Sequence, residues 1–309
     1  MIVCAGEALI DMLPRRTAEG EDAFAPYPGG AVFNTAVALG RLGAPAGFLS
    51  GLSTDLFGAR LERALAESRV DASLCVRSER PTTLAFVTLE DGQASYAFYD
   101  ENTALRSLAP EDMPALPEGA TALFLGGISL VMEPCAGAFE ALAAREAGRR
   151  AIVLDPNVRP GFVADPEGYR HRIGRLMALS DVVKVSDEDL RWLMPPAVGH
   201  DAEALARAVL DLGPSLVCVT RGAEGATAYT ASGAIEVPAK RAEVVDTVGA
   251  GDTFDAGLMA SLHEAGLLAP GLPGLAEEAV RDALALGARA AAVTVSRAGA
   301  NPPWRHELA

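Results

Sequence analysis

Apolar positions along the chain follow two different periods. Short runs rich in Val, Ile, Leu and Ala recur at residues 2–5, 46–52, 122–125, 151–154, 181–185 and 216–220. Runs of this length, bounded by turn residues, predict buried strands. Elsewhere apolar residues return every three or four positions, over 31–43, 55–68, 133–147, 201–212 and 278–292, which predicts helices. Residues 8–13 continue the first strand after a break at Gly6-Glu7, and the polar, Pro-rich stretch 15–28 predicts a loop or small flap. Segments 82–89 and 94–99 predict a hairpin turning at Asp91-Gly92, and 226–229 with 234–238 a second one. Strand-then-helix alternation from residue 120 onward predicts an α/β fold, a doubly wound and mostly parallel sheet with helices on both faces. With no long linker, repeat or low-complexity tract, the expectation is one domain over residues 1–309, carrying a small β lid from about 12–27 and 82–100.

Composition changes this picture little and narrows the function. Half of the residues are apolar and 22% are charged, enough for a buried core and too few charges for disorder. A formal net charge of −15 argues against nucleic acid and against anionic membranes, since both need a cationic face. Cys4, Cys75, Cys135 and Cys218 are far apart, without metal-ligand spacing, and are expected to be buried free thiols. The N-terminal MIVCAGEALIDML has no basic segment, and Glu7 and Asp11 interrupt its apolar run, so neither a secretory signal nor a membrane span is expected and the location expected is cytoplasmic.

Two stretches carry candidate chemistry. Residues 246–259 read DTVGAGDTFDAGLM, a tight Gly249-Ala250-Gly251 loop running into a helical pattern, with Asp252 at its start. Such a helix start leaves backbone N–H groups facing outward and favours negative charge. A carboxylate beside it suits proton removal from a hydroxyl while the amides hold charge on a transferring phosphoryl group. Taken alone, the loop is equally an ordinary helix-start turn. It is neither a P-loop nor a dinucleotide fingerprint, since GxxxxGK[ST] is absent and a third glycine at the required spacing is missing. Residues 28–43, PGGAVFNTAVALGRLG, place Gly29-Gly30 before a helix with Asn34 in its first turn.

These two stretches resemble the N-terminal and C-terminal signatures of the ribokinase-like (PfkB) carbohydrate kinases. The resemblance implies ATP-dependent phosphorylation of a sugar hydroxyl, with ATP and Mg²⁺ as cofactors and a monovalent cation such as K⁺ as a further candidate. It makes Asp252 the catalytic base and Gly249, Ala250 and Gly251 the anion hole. Asp11, Gly29, Gly30 and Asn34 become ligands of sugar hydroxyls, and Tyr96, Phe98 and Asp100 lid residues over the sugar. The lids of this family often pair edge to edge, which implies a homodimer. DPNVR at 155–159 resembles the family's DxNxR and makes Arg159 a partner of the moving phosphoryl group; its plain alternative is a structural Asp–Arg pair. SDED at 186–189 stands where the family has NxxE, with Ser186 for Asn and Asp189 for Glu, and puts Asp189 and Glu188 near Mg²⁺ and Lys184 and Ser186 near the nucleotide. TRGAEG at 220–225 resembles the nucleotide-binding turn (Thr220, Gly222, Gly225), and SRAGANPP at 296–303 the C-terminal nucleotide loop, with Asn301.

Within the family, DPNVRP, KVSDED and FYDENTA look most like bacterial fructokinases. The alternatives are 2-keto-3-deoxygluconate kinase, ribokinase, and, in a different class, a sugar-binding regulator that has lost catalysis. Fructose is preferred because the lid stretch 96–105 has Asp100 and no Lys or Arg; the expectation is that Asp100 faces the sugar or its rim and Arg106 does not.

Overall fold

The computed structural model describes residues 1–90, 93–194, 199 and 201–308, without the side chains of 88–90 and 93–96. The predicted turn at Asp91-Gly92 and the side chain of Tyr96 lie outside the described residues.

The chain opens with β1 (Ile2–Ala5), β2 (Leu9–Arg16), β3 (Asp22–Gly29), α1 (Ala31–Arg41), β4 (Ala46–Leu49), β5 (Gly51–Ser53), α2 (Leu56–Glu67), β6 (Val70–Asp71), β7 (Val76–Ser78), β8 (Leu84–Glu90) and β9 (Gln93–Tyr99). It continues through β10 (Ala122–Gly126), α3 (Cys135–Glu146), β11 (Ala151–Asp155), α4 (Pro166–Leu179), β12 (Val182–Ser186), α5 (Asp187–Leu193), α6 (Ala202–Leu210) and β13 (Leu216–Thr220). The hairpin β14 (Ala226–Thr230) and β15 (Gly233–Val237) and the helices α7 (Ala250–Glu264) and α8 (Glu277–Val295) complete it.

Nine strands form one sheet in the order β15-β14-β13-β12-β11-β10-β1-β4-β6. It is parallel from β6 to β13 and antiparallel only across β13, β14 and β15. Side chains alternate between its faces, as the pleat requires. Ile2, Cys4, Phe124 and Val153 join the core under α1, α2, α7 and α8. Val3, Ala5, Leu123 and Ile152 join the core under α3, α4, α5 and α6. Strand order reverses at β1, whose neighbours are β4 and β10, and such a switch point opens a crevice beyond the strands' C-terminal ends.

A separate four-stranded sheet, β3-β2-β8-β9, springs from this end of β1. Within the stretch 15–28, expected as a loop or small flap, residues 22–29 form a full strand paired along its whole length with β2, Leu9 opposite Gly29 and Arg16 opposite Asp22. Pro26 and Pro28 suggested a loop, yet β3 is an edge strand, where a missing N–H costs no ladder bond. Helix α4 was also not foreseen. Its sequence is crowded with Arg and His, but Asp165 caps it, Pro166 opens it, and Tyr169, Ile173, Leu176 and Met177 are its buried stripe. All four cysteines are free and buried. Among the described residues, no helix is long and apolar enough to cross a membrane.

Candidate active site

Asp252 is the third residue of α7, and the helix can begin there because Gly249 precedes it in a left-handed conformation, φ 78°. A Cβ on Gly249 would stand 2.7 Å from Ala300 Cβ, so backbone shape and space both require glycine. The start of α7 leaves the N–H groups of Gly251 and Asp252 without intrahelical acceptors. The Asp252 carboxylate is buried. Asn34 Nδ2 donates to its Oδ2 at 2.9 Å, and Asn157 Nδ2 reaches Oδ1 at 3.4 Å. Burial pushes the carboxyl up to about 7, with Asn34's hydrogen bond and Lys184's charge opposing that rise. The group is thus poised to gain and lose a proton near neutrality.

Asp252 sits on the wall of a cavity of about 330 Å³, which Asp11, Gly30, Asn34, Phe98 and Arg159 also line. Asp11 projects from β2, and burial pushes its carboxyl up to about 6. Gly29 contributes room rather than a contact: a Cβ there would lie 2.1 Å from Asp11 Oδ2. Phe98 comes from β9 and stacks on Phe162, ring centres 4.3 Å apart, which brings the four-stranded sheet against the loop after β11. Arg159 curls back on its own loop, donating to Asn157 Oδ1 at 2.6 Å.

A second cavity, of about 640 Å³ and mostly apolar, lies on the far side of the Gly249–Asp252 loop. Thr220, Gly222, Gly225 and Ala250 line it, together with Lys240, Arg241, Phe254 and small residues of α8. The two cavities share Thr247 and Gly251, so the loop is the partition between them.

Several residues assigned from the sequence stand elsewhere. Lys184 is buried under the loop in an ion pair with Asp155 at 2.9 Å, not in the second cavity, because its side chain turns to Asp155 and, at 3.6 Å, to Asp255 of α7. Ser186 caps α5, its Oγ accepting the Asp189 N–H at 3.0 Å. Asn301 Oδ1 accepts from Arg41 Nη1 at 2.8 Å, so its amide is turned to α1, and Ala300 is the residue against Gly249. Asp100 does not line the first cavity. The turn after β9, in which Thr103 Oγ1 donates to the Asp100 carbonyl, brings Arg106 back onto the Asp100 carboxylate, both contacts at 3.1 Å. Asp189 is half-buried and pushed up to about 6 by burial and by Asp155, while Glu188 is exposed.

Glu7 was read only as an interruption of an apolar run. It is buried, lines the first cavity, and accepts the Ala31 N–H at 3.0 Å and the Ser129 N–H at 3.3 Å, tying the start of α1 to the turn after β10. A charged residue directly after a buried strand was the available signal. Asn157, the amide of the DPNVR run, has φ 43°, and Lys240 and Arg241 carried no signal in the sequence.

A fructokinase of Rhizobium leguminosarum bv. trifolii is 54% identical over 268 residues, 87% of this chain and 81% of that protein. The crystal structure of fructokinase with bound ATP from Xylella fastidiosa superposes with a TM-score of 0.89 at 31% identity, covering 99% of this chain and 97% of that one. A fructokinase of Vibrio cholerae O395, in fructose, ADP and calcium ion bound form, superposes with a TM-score of 0.82 at 28% identity over 97% of this chain and 94% of that one. The profile of the pfkB family carbohydrate kinases matches residues 1–307, and with a partitioned pair of cavities around a buried aspartate at a glycine-rich helix start, the chain belongs to that family.

Proposed function

We propose that this chain transfers the γ-phosphoryl group of ATP to a hydroxyl of fructose, giving fructose 6-phosphate. The observation that carries the reading is the Gly249–Asp252 loop standing as a shared wall between a polar cavity and a larger apolar one. The sugar belongs in the polar cavity, held by Asp11, Gly30 and Asn34, and the nucleotide in the apolar one, with Lys240 and Arg241 at its mouth. Asp252 removes the proton from the attacking hydroxyl. The free N–H groups of Gly251 and Asp252 face the charge that develops in transfer and hold it without reorganising. Arg159 is near enough to swing from Asn157 to the same charge. Fructose and ADP bound to the Vibrio cholerae relative, and ATP bound to the Xylella fastidiosa relative, support a sugar and a nucleotide as the two ligands.

The residues present fit a divalent cation of the Mg²⁺ type. Among the described residues, no three His, Cys, Asp or Glu side chains form a cage. Mg²⁺ seldom needs one, since it keeps its waters and takes one or two carboxylates with the phosphates. Asp189, half-buried beside Asp155 though outside the lining of both cavities, is the side chain this reading assigns to it. When bound, the ion neutralises charge shared between phosphate oxygens.

Fructose is favoured over 2-keto-3-deoxygluconate by what surrounds the polar cavity. A terminal carboxylate needs a cation there. Arg106 is committed to Asp100, its Nη1 shared between both carboxylate oxygens, residues 88–96 contain no Lys or Arg, and Arg159 is the only cation among the lining residues described. The lid therefore disfavours an acid sugar because its arginine is neutralised, not because Asp100 faces the substrate. In a coupled ADP-release assay, kcat/KM for fructose should exceed that for 2-keto-3-deoxygluconate by at least ~10-fold, the scale of one unmet charged contact. Equal or reversed preference would remove fructose from the assignment and leave the kinase reading standing. No ADP release with any sugar would favour a non-catalytic binder.

The outer face of the four-stranded sheet supports a homodimer. Phe24 is 44% exposed and Tyr99 64%, with Phe86 stacked between them at 5.0 and 5.3 Å, on the face opposite Asp11. An open sheet carrying such aromatics needs cover. The wild type should sediment at twice the chain mass, and Phe24→Glu with Tyr99→Glu at the mass of one chain. A monomeric wild type at micromolar concentration would overturn the pairing.

A further inference from the structure

Beneath the Gly249–Asp252 loop lie three charged side chains that take no part in the proposed transfer. Lys184 Nζ, buried at the middle of β12, donates to Asp155 Oδ2 at 2.9 Å and lies 3.6 Å from Asp255 Oδ2. A Cβ on Gly251 would stand 3.1 Å from the same Nζ, so the ammonium is directly under the partition. The other Asp155 oxygen accepts the Asn157 N–H at 3.2 Å, and Asn157 Nδ2 reaches Asp252 at 3.4 Å. A chain of contacts therefore runs from Lys184 through Asp155 and Asn157 to Asp252. Asp255, one helical turn beyond Asp252, is fully buried, and neither of its oxygens has a hydrogen-bond partner among the described residues.

The charges do not balance. Three buried carboxylates, Asp155, Asp252 and Asp255, share one buried ammonium. Carboxylates crowded this way raise one another's proton affinity, and burial raises it further. Arg159 adds a cation from the loop after β11, but its residue is exposed. From α1 and the loop after β11, Asn34 and Asn157 bring only neutral donors. Burial pushes the Asp255 carboxyl well up, Lys184 opposing that rise at 3.6 Å and Asp155 adding to it. Lys184 itself is held charged: burial pulls it down, but Asp155 and Asp255 together outweigh that.

A buried ion pair alone says little about function, because an apolar pair of the same size packs as well. Here the pair has a geometric consequence, since its contacts end at the base through Asn157. We propose that Lys184 is a positioning residue for Asp252: it fixes Asp155, and through Asn157 the orientation of the Asp252 carboxylate, while its charge under the loop keeps that carboxylate ionised as a hydroxyl arrives. This rests on Asp252 being the base.

The test is kcat against pH at saturating fructose and MgATP for wild type, Lys184→Gln and Lys184→Met. Protonation of free MgATP is common to all three and cancels in the comparison. Gln keeps a donor toward Asp155 and removes the charge. The acid limb should move up by about one pH unit in Lys184→Gln, the low end of what a neighbouring opposite charge does. The loss in kcat is then about 10-fold near pH 6 and vanishes near pH 9, with KM for fructose unchanged there. Lys184→Met should add a pH-independent loss, because Asp155 and Asn157 are no longer held. If a single variant does not fold, Lys184→Met with Asp255→Leu, which makes the Lys184–Asp255 contact apolar, carries the same test and the same upward shift. An unmoved acid limb in a folded variant, or an equal loss at every pH in Lys184→Gln, overturns the proposal. Asp252→Asn separates the two levels: an active Asp252→Asn sinks the base itself, whereas an inactive one with an unmoved Lys184→Gln limb sinks only the role of Lys184.

Discussion

Asp252→Asn is expected to fold, to bind sugar and nucleotide, and to turn over ~10²–10⁴-fold more slowly than the wild type. The amide keeps the shape of the carboxylate and can still meet Asn34, whose own amide can turn to suit, but it cannot accept the hydroxyl proton. The same substitution should stabilise the unliganded protein at alkaline pH. The folded Asp252 carboxyl is raised to about 7 from its ordinary value of 3.8, so the folded state binds its proton more tightly than the unfolded state. That contribution is fully present below about pH 4 and is lost as the pH rises through about 7. Asn carries no such penalty, so above about pH 8 the variant should melt at a higher temperature than the wild type, and near pH 4 the advantage should disappear. Calorimetry at the two pH values reads the effect alongside kcat. A variant with near-normal kcat would remove Asp252 from the chemistry; one without the alkaline gain would mean that the carboxylate is better solvated than its surroundings indicate.

The second large effect is expected at Asp11. Its carboxylate faces the polar cavity from β2, opposite a glycine that makes room for it, and no other described side chain hydrogen-bonds to it. A group held in this way is available to a sugar hydroxyl. Asp11→Ala should raise the KM for fructose by roughly 10–100-fold, with kcat and the KM for ATP changed far less, because a hydrogen bond to a charged group is worth about 1.5–3 kcal/mol. Asn34→Ala should behave differently. Asn34 lines the cavity and donates to Asp252 at 2.9 Å, so its loss should lower kcat, raise the acid limb of the pH profile and weaken sugar binding together. Equal, pure KM effects from both variants would mean that the Asn34–Asp252 contact is not part of the working site. Wild-type KM in Asp11→Ala would place the sugar elsewhere.

How far these sites could be read in advance depended on whether the determinant was local. Apolar runs and amphipathic stretches located most strands of the large sheet and nearly all of its helices, because strand burial and helix periodicity are written residue by residue, but they missed β6 and joined β4 to β5, which belong to different sheets. The helix start at Gly249–Asp252 was legible for the same reason: a left-handed glycine followed by an acidic residue in the first turn is a local signature. So was the Gly29-Gly30 entry to α1, with Asn34 one turn in.

What the local pattern left open is which distant groups meet. Asp100 looked like a lid residue facing a sugar, and only the turn through Thr103 reveals that Arg106 takes its charge. Lys184 looked like a nucleotide ligand at a strand end, and only the packing of α7 over β12 puts it beneath the loop, between Asp155 and Asp255. Glu7 looked like a break in a strand, and only the approach of α1 and the turn after β10 turns it into a buried acceptor of two helix-start amides. Asn34 and Asp252 are 218 residues apart and share a hydrogen bond. The sequence by itself determined the layers, the order of elements and the two glycine-rich loops, all of which rest on spacing within one or two turns of chain. Tertiary structure alone decided the burial that raises the Asp252 carboxyl, the pairing of Arg106 with Asp100 and the partners of Lys184 and Glu7, because burial and Coulomb interaction depend on distance in space, which spacing along the chain does not fix.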